Sequence, residues 1–200
     1  MFNLISVTNR SLCREPFPRR MERVAASGVG AVLLREKDLP PAEYQALAAV
    51  VVPLCQAQGV PCILHSHPAA ALALGVHALH LPLPALRDLT AGERGRFSVL
   101  GASCHSLADV LEAAELGCTY VTLGHIFPTA CKPGLPPRGL ELLRQVCQQS
   151  PIPVYAIGGI GPENVSAVRQ AGAAGACLMS ALMTCEDPAQ LVEQLRKSLD

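Results

Sequence analysis

Short, nearly continuous apolar runs alternate along the chain with longer stretches in which apolar residues recur every three or four positions. The runs are NLISV (3–7), GAVLLR (30–35), PCILH (61–65), VHALHL (76–81), FSVLGAS (97–103), CTYVTLG (118–124), PVYAIGG (153–159) and GACLMS (175–180). Runs without polar alternation are expected of strands buried on both faces, as in a parallel sheet. The intervening stretches SLADVLEAAELG (106–117), RGLELLRQVCQQ (138–149), PENVSAVRQAG (162–172) and DPAQLVEQLRKSL (187–199) read as amphipathic helices. Several close on Gly, which terminates helices readily. PAEYQALAAVVVPLCQAQG (41–59) is helical in pattern, with Pro53 expected to disturb it.

An open doubly wound sheet produces a similar string. Eight such units without a charged linker or a break in composition favour an α/β fold in which residues 1–200 form a single (β/α)₈ TIM barrel. Its active site is then expected at the C-terminal ends of the strands.

Composition narrows the partners. Half the residues are apolar, enough for a substantial core, while aromatics make up 4% with no Trp, too few for a base-stacking surface. The 16 basic and 16 acidic residues cancel, so no basic stripe awaits nucleic acid. The nine cysteines are scattered, odd in number and free of CxxC spacing. They read as small core hydrophobes in a reducing, cytoplasmic setting. The apolar run from residue 70 is too short to span a bilayer, so no membrane association is expected. Apolar stretches on the outer helices leave room for a homodimer.

Polar residues at the strand ends supply the candidate chemistry. Arg35 and Lys37 follow the second strand within REKD, where the alternative is a solvated loop of alternating charge. His65 and His67 flank Ser66, yet with Pro68 next and no carboxylate nearby they are not read as metal ligands. His77 and His80 fall on opposite faces, with His77 expected toward the helices. Ser103 ends the fifth strand, and Ser106 with Asp109 forms a capping box that argues against a Cys104–His105 nucleophile. After the seventh and eighth strands, Gly158, Gly159, Met179 and Ser180 mark a phosphate grip in which glycine lets the backbone approach the ligand. The sixth strand runs into GHIFPTACKPG (124–134), which carries His125, Thr129 and Lys132.

Taken together, LLREKDL (33–39), GVHALHL (75–81), LGASCHS (100–106), the 124–134 stretch, PVYAIGGIGPENV (153–165) and GAAGACLMSAL (172–182) resemble the thiamine phosphate synthase/TenI family of (β/α)₈ barrels. That resemblance covers almost the whole chain and implies one of two activities. Synthases couple a pyrimidine pyrophosphate to a thiazole phosphate with Mg²⁺, held by carboxylates after the third and fourth strands. Here those places read His65-Ser66-His67 and LPLPAL (81–86), without a carboxylate. The GH-F-T-CK-GL-RG form instead resembles the thiazole tautomerases. It implies that His125 is the acid–base residue acting on a phosphorylated thiazole, with neither metal nor other cofactor expected. In that reading Arg35, Lys37, His65, Ser103, Thr129 and Lys132 contact substrate, and Gly158, Gly159, Met179 and Ser180 hold the phosphate. The alternatives are the synthase itself and a non-catalytic thiamine-phosphate-binding regulator.

Overall fold

The computed structural model describes residues 2–199. Along the chain come β1 (Asn3–Val7), α1 (Phe17–Ala26), β2 (Ala31–Leu34), α2 (Pro41–Ala57), β3 (Cys62–His65) and α3 (Pro68–Ala73). There follow β4 (Ala78–Pro82), α4 (Leu83–Asp88), α5 (Ala91–Arg94), β5 (Val99–Cys104), α6 (Leu107–Glu115) and β6 (Tyr120–Gly124). The last third holds α7 (Gly139–Gln149), β7 (Val154–Ile157), α8 (Val165–Gln170), β8 (Gly175–Leu178), α9 (Ser180–Thr184) and α10 (Pro188–Lys197). The strands pair in sequence order, all parallel, and β8 closes on β1 to make a (β/α)₈ barrel.

Both faces of each strand are occupied, which is why the runs look uniformly apolar. Val32, Leu64, Leu79, Leu100, Val121, Val154 and Ala176 point outward into the large core beneath the helices. Ile5, Val7, Leu33, Ile63, Tyr120 and Cys177 point inward and form a second, smaller cluster inside the barrel. The inner set carries most of the buried polar strand residues, among them His65, His80 and Thr122, while buried Ser6 lies on the outer face of β1. Large inward rings sit over neighbouring glycines: a methyl group at Gly175 would overlap Tyr155, its register partner on β7.

Helix ends follow local chemistry. Proline opens α1, α2, α3, α4 and α10, where its missing N–H is no loss. Pro53 does not break α2, which runs unbroken to Ala57. Pro53 lies on the solvent face, while Tyr44, Ala48, Val51, Val52 and Cys55 pack the opposite one. That burial outweighs the lost hydrogen bond. His77 precedes β4 and is exposed, its Nδ1 3.0 Å from the Arg96 carbonyl. Cys55, Cys62, Cys104, Cys118 and Cys177 are buried as small hydrophobes, whereas Cys131 is exposed.

Candidate active site

The C-terminal strand ends surround a cavity of about 910 Å³. The residues expected to catalyse, contact substrate or hold phosphate all lie on its wall, whereas His67, His77 and His80 do not. Arg35, Lys37 and Lys132 bring positive charge; His65, Ser103 and Thr129 bring polar side chains; His125 stands at the exit of β6. Gly158, Gly159, Met179 and Ser180 form the side built by the β7 and β8 loops.

The REKD segment is only partly solvated: Lys37 and Asp38 are exposed, but Arg35 is half-buried. Glu36 is buried and accepts hydrogen bonds from the Thr8 hydroxyl (2.6 Å), the Arg10 backbone N–H (3.1 Å) and the Arg10 guanidinium (3.2 Å). This anchor fixes the turn, so the two cations flanking Glu36 are displayed from a rigid base. Burial lowers the Arg35 pKa, with Glu36 opposing the shift. The Lys37 pKa is lowered by burial first, then by Arg35 and Lys132. Three cations therefore feel one another at the mouth, and a bound anion relieves that repulsion.

His125 is half-buried, and the peptide bond preceding it is cis. Its Nε2 lies 3.2 Å from the Leu135 carbonyl. A carbonyl only accepts, so Nε2 bears the proton and a neutral ring keeps its lone pair at Nδ1. The loop between them is pinned at its base: Arg138 N–H donates to the His125 carbonyl (2.8 Å), and Gly139 N–H to that of Ile126 (3.1 Å). Inside it, the Thr129 hydroxyl oxygen accepts the Cys131 N–H (3.3 Å), making Thr129 a turn former as well as a wall residue.

The two glycines after β7 also make room for a neighbouring loop. Gly158 has φ +99° and Gly159 φ +68°, and side chains there would overlap His125 Cβ and the Phe127–Pro128 backbone. On the side where a Cβ would stand, the space is filled by the β6–α7 loop, while both glycines still line the cavity. The Gly159 N–H has no partner among the described residues, so the loop still offers a donor to an anion. Ser180 begins α9, whose first N–H groups have no partner among the described residues.

Deeper in the barrel, His65 and His80 lie with ring centroids 5.8 Å apart. His65 is pushed down to about 2 by burial and by the charges of His80, Arg35 and Lys37. His80 is pushed down to about 3 by burial, then Arg35. Both are neutral near pH 7. His67 turns away and stacks on Tyr44 at 4.0 Å. Ser66 between them adopts φ +63°, uncommon for serine, while its hydroxyl meets His65 Nδ1 at 2.8 Å.

Sequence reasoning missed Asn9, His105, Asp109 and Thr122, which also line the cavity. His105 Nδ1 donates to the Gly124 carbonyl at 2.7 Å. The Asp109 carboxylate accepts the His105 N–H (2.7 Å), while Ser106 Oγ accepts the Asp109 N–H (3.1 Å). The capping box thus reaches one residue further back than its pattern suggests.

A family model described as thiamine monophosphate synthase matches residues 4–182. The chain belongs to that family. A thiamine-phosphate synthase of Syntrophomonas wolfei is 32% identical over 203 residues, covering 98% of this chain and 95% of its own. One from Thermus thermophilus is 36% identical over 183 residues, covering 90% and 87%. Among solved structures, the thiamine phosphate pyrophosphorylase of Pyrococcus furiosus superposes with a TM-score of 0.85 at 29% identity, covering 99% of this chain and 95% of that one.

The magnesium ion of the family's coupling reaction calls for a carboxylate-rich cradle. Among the described residues no three His, Cys, Asp or Glu groups converge as a metal site. The one carboxylate on the cavity wall, Asp109, is tied to the His105 backbone. The donor set here does not fit that ion.

Proposed function

We propose that this member of the family is a thiazole tautomerase, which aromatises a dihydro-carboxythiazole phosphate by proton transfer. The observation that carries the reading is His125: it stands on the cavity wall at a strand end, with its tautomer set by Leu135 so that the Nδ1 lone pair is free. Nδ1 takes the proton from the ring carbon bearing the carboxylate. The electron pair moves through the ring as the exocyclic double bond shifts inward, and a proton is returned to the exocyclic carbon. One residue can serve both steps, because an imidazole takes and gives protons near neutral pH. Arg35, Lys37 and Lys132 hold the carboxylate and offset the charge that builds up beside it. The Gly159 N–H and the start of α9 hold the phosphate, which orients the reacting carbon against His125.

The names of the relatives favour a second reading, Mg²⁺-dependent coupling of the thiazole phosphate to a pyrimidine pyrophosphate. Parallel assays separate the two. The expected result is isomerisation of the dihydro-carboxythiazole phosphate without added metal, lowered at least a hundredfold in His125→Asn. Magnesium-dependent pyrophosphate release with no isomerisation assigns the chain to the coupling reaction instead.

A further inference from the structure

Three register-matched residues make an unusual group across the barrel wall. His80 on β4 pairs with Gly101 on β5, and Gly101 pairs with Tyr120 on β6. A methyl group at Gly101 would overlap the Tyr120 ring and His80 Nδ1, so the bare glycine is what lets the two rings meet. Tyr120 Oη lies 2.9 Å from His80 Nδ1, and His80 Nε2 lies 2.9 Å from Ser103 Oγ.

Proton positions follow from counting partners. The Tyr120 phenol is buried, and Nδ1 is its one hydrogen-bond partner among the described residues. Burying a phenol proton without an acceptor is costly, so that proton goes to Nδ1. Burial keeps the imidazole neutral, which leaves its single proton on Nε2. Nε2 then donates to Ser103 Oγ and occupies one of its lone pairs. The Ser103 proton has no acceptor in the protein among the described residues, and Ser103 lies on the cavity wall.

We infer that Tyr120 and His80 are positioning residues that hold Ser103 as a hydrogen-bond donor into the cavity, selecting ligands that present a proton-free acceptor there. The acceptor is a carboxylate oxygen or a ring nitrogen. This rests on the proposed function only in taking the cavity as the ligand site.

Nitrogen-15 NMR of the ligand-free protein, with His80→Asn identifying the resonances, is expected to show His80 protonated at Nε2 and bare at Nδ1. A proton on Nδ1 overturns the inference. Calorimetry with two probes, the thiazole phosphate with and without its ring carboxylate, tests the donor. Ser103→Ala is expected to weaken binding about tenfold. A loss confined to the carboxylated probe assigns the acceptor to the carboxylate, and an equal loss assigns it to the ring nitrogen. Tyr120→Phe is expected to weaken binding less, and to add nothing in the Ser103→Ala background. Unchanged affinity in Ser103→Ala, or fully additive losses, overturn the inference. A wild-type protein that binds as described but isomerises nothing overturns the proposed function and leaves this inference standing.

Discussion

The Thr8 hydroxyl donates to the Glu36 carboxylate at 2.6 Å while its oxygen accepts the Arg35 backbone N–H at 2.9 Å. One small side chain on the β1 exit therefore fixes both the buried anion and the cavity arginine next to it. Thr8→Val keeps the shape and removes both bonds. Denaturant unfolding is expected to show a loss of about 1–3 kcal/mol, with weaker ligand binding alongside. Thr8→Ser is expected to retain most of both.

Lys37 should give ligand affinity an alkaline limit. Its pKa is lowered by burial and by the charges of Arg35 and Lys132, so it loses its proton earlier than an ordinary lysine. The charged form attracts the anion, so affinity is expected to fall as pH rises through that lowered pKa. Titration calorimetry from neutral to alkaline pH checks this, and Lys37→Arg is expected to keep affinity at the alkaline end.

Acid stability should be set in part by the buried histidines. His65 and His80 have pKa values of about 2 and about 3 in the folded chain, against 6.5 as their ordinary value. As pH falls below about 6.5, the unfolded chain binds protons that the folded chain refuses. Stability is therefore full above that point and is lost downward, by roughly 1.4 kcal/mol per pH unit for each proton. Unfolding measured from pH 7 to 4 should show this slope, and His80→Asn should reduce it by one proton.

Gly158→Ala tests the reason for the glycine. The added methyl meets His125 Cβ and must sit at φ +99°. The expected cost is about 1–3 kcal/mol. Turnover is expected to fall with it because the histidine is displaced, while inorganic phosphate binding at the Gly159 side is retained. Loss of phosphate binding with turnover intact would return Gly158 to the anion grip.

The barrel and the membership of its cavity wall were legible because period and strand-end position are local properties. β1 was readable to the residue, as a short apolar run that begins at Asn3 and stops before Thr8 and Asn9. The short α4, α5 and α9 were not, having too few turns to show a period. The burial of Glu36 was not legible because its partners Thr8 and Arg10 follow the neighbouring strand β1, far from it in sequence. His80 could be placed on the face opposite His77, but its link to Tyr120 through Gly101 depends on register, which one strand's sequence cannot reveal. The Gly158–Gly159 pair suggested a ligand contact because its neighbour, His125, belongs to another strand's loop.

The loop after β6 leaves and re-enters the barrel at the same place, and the bonds that shut it run from backbone to backbone, His125 carbonyl to Arg138 N–H. Such a clasp is indifferent to side chains. What depends on side-chain size is the packing of His125 and Phe127 against Gly158 and Gly159. In this barrel, the wall segment that carries His125 is closed at its base without help from the side chains it displays.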